Sequence, residues 1–127
     1  MSTFAEDNFG NDGAQEYLAM LTARLMGTIT EVMARADRLK LTEDGESMLM
    51  PSVEILALLF ERYDAAPPRP ETVRQWSAKY LKVYDKTIDK LKPTADYKSH
   101  RRRVIENTFR WLESLAQTHY AAEGDPQ

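Results

Sequence analysis

Between Asp12 and Leu41, Ala14, Leu18, Leu21, Leu25, Ile29, Val32, Ala36 and Leu39 recur every three or four residues. That spacing puts all eight on one side of a helix. At 1.5 Å per residue, 12–41 is a rod of about 40 Å, longer than a small domain is wide. A rod with one apolar stripe is not stable alone in water, so the rest of the chain has to cover it. Three further segments have the character to do so. After the polar stretch Thr42–Ser47, Pro51 marks the first turn of a second helix, where its missing N–H is harmless. Val53, Ile55, Leu56, Leu58, Leu59 and Phe60 make this helix apolar on most of its surface, which predicts a central position. Pro67, Pro68 and Pro70 then force an extended connector.

A third helix carries Val73, Trp76, Tyr80, Val83 or Tyr84, Thr87 and Leu91 on one line, with Lys79, Lys82, Lys86 and Lys90 opposite, and Lys92-Pro93 ends it. In the fourth, Tyr97, Val104, Thr108, Trp111 or Leu112, Leu115 and His119 predict the inward stripe. Two-residue alternation is nowhere sustained. The expectation is therefore all-α: an antiparallel four-helix bundle in one domain, 1–127, with helices at 12–41, 50–64, 70–91 and 95–120. A leader, 1–11, packs on the bundle through Phe4 and Phe9, each burial contributing about 2 kcal/mol. Residues 121–127 form a tail. Asn11 or Asp12 is the N-cap of the first helix.

Composition narrows the functions. The net charge is −3 and the pI near 5.4, which argues against nucleic acid as partner, because phosphate binding draws on a basic surplus. With no cysteine, disulfides, thiolate metal sites and a cysteine nucleophile drop out together. The N-terminus lacks a basic region followed by an apolar run, and no apolar run approaches the roughly eighteen residues of a membrane span. A cytoplasmic protein with no membrane partner is expected.

Catalytic motifs are scarce. His100 and His119 are the only histidines, and no Glu-x-x-His pair, nucleophile elbow or phosphate loop occurs. Glu43-x-x-Glu46 followed by Glu61-x-x-Asp64 is ordered like the carboxylate pairs that hold Mg²⁺ in all-helical nucleotide pyrophosphohydrolases. However, Gly45 interrupts the first pair, and the second sits at a helix C-terminus, where the dipole disfavours acids. Arg101-Arg102-Arg103 splays around a helix rather than forming one patch, so these arginines are read as partners for nearby carboxylates.

Asn8-Phe9-Gly10-Asn11-Asp12-Gly13-Ala14 resembles the opening of a family of small bacterial proteins of unestablished function. Its members begin Trp-Gly-x-Gly-x-Phe-x-Asn-Asp-x-Ala and continue into a long helix. Phe9, Asn11, Asp12 and Ala14 match in register, and the likeness runs over about the first seventy residues. Thr3, Phe4, Ala5 and Asp7 stand around the places of the family's tryptophan and early glycines. The resemblance supplies no catalytic residues.

Small, acidic, motif-free helical domains of bacteria suggest a non-catalytic role: an immunity protein that binds and neutralises a cationic toxin, with no cofactor or metal. An acidic surface steers towards such a partner. Glu43, Asp44, Glu46, Glu61 and Asp64 are the candidate contact residues. The alternatives are a structural or adaptor homodimer and the Mg-dependent pyrophosphohydrolase.

Overall fold

The computed structural model describes residues 6–63 and 65–122. Phe4 of the leader, Asp64 and the tail beyond 122 lie outside them. The fold is all-α, a bundle of four helices: α1 (Asp12–Ala34), α2 (Met50–Arg62), α3 (Pro70–Thr87) and α4 (Ala95–Ala122). Asn11 caps α1, its side chain accepting the Ala14 N–H at 2.8 Å. The Gln15 side-chain amide donates back to the Phe9 carbonyl at 2.7 Å. The described part of the leader is held by Phe9, whose ring lies 4.5 Å from that of Tyr63.

Each successive helix reverses direction. Phe9, before α1, meets Tyr63, beyond α2. At one end of the α3–α4 pair the Tyr84 hydroxyl donates to the Lys98 carbonyl, and at the other the Tyr120 hydroxyl donates to the Pro67 carbonyl. α2 and α4 therefore run parallel, side by side. α1 packs against α2, α2 against α4 and α4 against α3, and a lighter α1–α3 contact closes the ring. The core draws on all four, with Ile29, Val32, Val53, Leu56, Val73, Tyr80, Tyr84, Ile105, Phe109 and Leu112 buried.

Three features depart from the sequence expectations. First, α1 ends at Ala34, not near Leu41. A 3₁₀ turn (Ala36–Arg38) follows, and Leu41–Leu49 is a π-helix rather than a polar loop. Wide turns are rare and usually brief. This one is held open at its start by Asp44, whose carboxylate accepts the Lys40 N–H at 2.8 Å and pairs with Arg35 at 3.2 Å.

Second, α2 is not central. Its apolar residues go right round, yet Ile55 and Leu58 are 44% and 51% exposed. Third, the buried line of α4 is Ile105, Thr108, Phe109, Leu112 and Ala116. Tyr97 and Val104, predicted to face inward, are 53% and 48% exposed. α4 carries two apolar lines, and the core takes that of Ile105, Phe109 and Leu112, with Trp111 and Leu115 packed partly against it. No described helix is long and apolar enough to cross a membrane.

Candidate functional site

The most constrained polar cluster sits where the π-helix meets α3 and α4. Gly45 and Glu46 occupy adjacent positions in the wide turn. A Cβ on Gly45 would lie 2.6 Å from the Tyr80 hydroxyl and 2.7 Å from its ring, so the missing side chain lets the Tyr80 ring lie against the backbone. The fully buried Tyr80 then donates its hydroxyl to Glu46 Oε2 at 2.5 Å. From α4, Arg101 donates Nε to Oε1 at 2.6 Å and Nη2 to Oε2 at 3.1 Å. This is the forked pairing in which guanidinium and carboxylate geometry match.

Both Glu46 oxygens are engaged. Burial, and then the hydrogen bond to a carboxylate, push the Tyr80 phenol well above its ordinary value, so the hydroxyl stays protonated and donating. Hydrogen bonding to Glu46 likewise holds Arg101 in its charged form. The cluster locks three elements together. Tyr84, whose pKa is raised chiefly by burial, makes a second such anchor one turn along α3.

Above this lock, α2 and α4 leave a groove of about 550 Å³. Glu46 and Arg101 lie at one end of it. Met50, Pro51 and Glu54 form the α2 wall, and Tyr97, Val104 and Thr108 the α4 wall.

Of the five candidate contact residues, Glu43, Asp44 and Glu46 lie in the π-helix and Glu61 near the end of α2. Glu43 is exposed and pairs with Lys40 at 3.7 Å. Asp44 is turned inward to the Lys40 N–H and Arg35. These partners, the N–H foremost, hold its carboxyl below the ordinary carboxylate value. Glu46 is in the cluster just described. Glu61 lies at the far end of α2, about 16 Å along the rod from Met50. Asp64 falls outside the described residues. Glu46 and Glu61 thus stand towards opposite ends of α2 instead of facing each other across two helices. Among the described residues, no group of three or more His, Asp or Glu side chains is placed to hold a metal ion.

The arginine triplet splays as expected. Arg102 pairs bidentately with Asp85 at 2.8 Å, pulling that carboxyl below its usual range, and Arg103 is exposed. His119 is half-buried, with its ring edge-on to Tyr120.

The Glu46–Tyr80–Arg101 contact joins residues 34 and 55 positions apart, which no local spacing reveals. The one signal in the chain is Gly45 inside a segment bounded by Leu41 and Leu49, both of which are buried. No family model, no curated protein and no solved structure matches this chain.

Proposed function

We propose that this chain is a non-catalytic binding protein, an immunity protein of the bacterial cytoplasm that captures and neutralises a cationic protein toxin. The observation that supports this reading best is the disposition of its surface. Pro51 on α2 and Tyr97 and Val104 on α4 are exposed around one groove, and Ile55 and Leu58 are exposed further along α2. Uncovered apolar faces of this kind accompany protein–protein contact. The polar cluster nearest to them is closed on itself, because Glu46 is shared between Tyr80 and Arg101. A net charge of −3 suits fast capture of a basic partner. The likeness of Phe9, Asn11, Asp12 and Ala14 to the opening of a small bacterial family agrees with the assignment.

The test is genetic and direct. The product of the adjacent gene is expressed in a susceptible bacterium with and without this chain, and colony survival is counted. Survival restored by coexpression, together with a stable complex on gel filtration, is the expected result. A harmless neighbour, or one that kills regardless of coexpression, contradicts the reading.

A further inference from the structure

We infer that the groove between α2 and α4 is the docking surface, and that its occupant is a basic amphipathic helix of a partner protein. The inference rests on reading the chain as a protein-binding domain, and it moves the contact surface away from most of the acidic residues that sequence alone suggests.

Two rows run along the groove at heptad intervals. On α4, Tyr97 and Val104 line it seven residues apart, and on α2 Pro51 lines it, with exposed Leu58 seven residues further along the same face. Because α2 and α4 run parallel, both rows rise by about 10 Å per step, side by side. A third helix laid lengthwise meets that periodicity with its own apolar positions. The α4 wall, from Tyr97 to Thr108, rises about 16 Å, long enough for roughly three turns of such a helix. Tyr97 and Val104 are not a leftover of core packing, since both are exposed and the core uses Ile105, Phe109 and Leu112 on a different line of the same helix.

Charge chooses the occupant. Glu54 lines the groove, and Glu61 stands one heptad further along the same edge of α2. Among the described residues neither side chain has an ion pair or hydrogen-bond partner. Arg101, the cation that lines the groove, is already neutralised by Glu46. Arg62, at the same end of α2 as Glu61, lies over the Tyr63 ring. The groove edge is therefore acidic and unneutralised, which favours lysines or arginines flanking an apolar stripe. A second copy of this chain fits poorly. Pairing the same face two-fold sets Glu54 and Glu61 near their own equivalents, a like-charge arrangement.

The probe is a lactam-bridged helical peptide of three heptads, with leucine on one face and lysine at the flanking positions. Its control is a twin with glutamate in place of lysine. Each is titrated into the full ¹⁵N-labelled chain and followed by amide chemical shifts. The lysine peptide is expected to move resonances within 51–61 and 97–111, and to bind about tenfold or more tightly than its twin. Val104→Asp, at an exposed position, is expected to abolish binding with an unchanged circular dichroism spectrum. The Glu54→Lys/Glu61→Lys pair is expected to invert the preference between the two peptides. Four results overturn the inference: no binding of either peptide at about 1 mM, equal binding of both, shifts confined to another face, or a doubled mass in sedimentation that Val104→Asp returns to monomer. Toxin rescue separates this inference from the broader reading. Full rescue by the Val104→Asp chain removes the groove and leaves the immunity assignment standing. No rescue by the wild-type chain removes that assignment, while the peptide titration still decides the groove.

Discussion

Gly45 and Tyr80 show how one missing side chain shapes an element. In a helix, replacing glycine by alanine is ordinarily worth about 1 kcal/mol in favour of alanine. Here the added Cβ meets the Tyr80 ring and hydroxyl at 2.6–2.7 Å. Tyr80 is buried on all sides and tied to Glu46, so it has no room to yield. Overpacking of this kind costs about 1–3 kcal/mol, so the clash outweighs the propensity. Gly45→Ala is expected to lower stability in urea denaturation by about that amount. Tyr80→Phe keeps the ring and removes one hydrogen bond to a charged acceptor that Arg101 still holds. A loss of about 1–2 kcal/mol is expected, with the far-UV spectrum unchanged. If Tyr80→Phe is neutral, the Glu46 cluster is ornament and not a lock.

At the scale of elements, α4 separates what local pattern can say from what it cannot. Four helices, their apolar character and the proline-bounded connector were legible because each depends on near neighbours in sequence. Which of two apolar lines faces inward was not. Tyr97 and Val104 continue into Thr108 and Trp111 to make as good a helical stripe as Ile105, Phe109, Leu112 and Ala116. Yet Thr108 is buried and Trp111 packs against the core while Tyr97 and Val104 are exposed, a choice made by α2 and α3 packing across the bundle. A pair of adjacent substitutions decides the register. Ile105→Ala is expected to cost about 2–5 kcal/mol, whereas Val104→Ala stays within about 0.5 kcal/mol, both read from denaturation midpoints. The π-helix at 41–49 was hidden for a related reason. Thr42-Glu43-Asp44-Gly45-Glu46-Ser47 has the composition of a loop, and its wide turns depend on Asp44 meeting Arg35 and on Tyr80 reaching Gly45 from another helix. As a candidate contact residue, Glu46 was visible in sequence as an acid but not as the partner of Arg101, 55 positions away.

Over the whole molecule these pairings set how stability follows pH. Asp44 and Asp85 have folded-state pKa values below their ordinary 3.8. Their contribution is present above that value and is lost as pH falls through the folded values, because the unfolded chain takes up protons first. Tyr80 and Tyr84 are shifted upward from 10.0. Their neutral forms are favoured in the fold, so that contribution is intact below pH 10 and is lost as pH rises beyond it. A plateau in the denaturation midpoint between about pH 5 and 9, falling on both sides, is expected. On the alkaline side, two tyrosines are expected to gain phenolate absorbance only as the chain unfolds. Among the described residues the same distribution of charge leaves Glu54, in the groove with exposed Tyr97 and Val104, and Glu61 without an ion pair, where a partner has most to gain. Amide hydrogen exchange of the chain, with and without the product of the adjacent gene, tests that most directly. New protection concentrated in 51–61 and 97–111 is predicted, and protection centred on Glu43 and Asp44, with the α2–α4 groove unchanged, would contradict it.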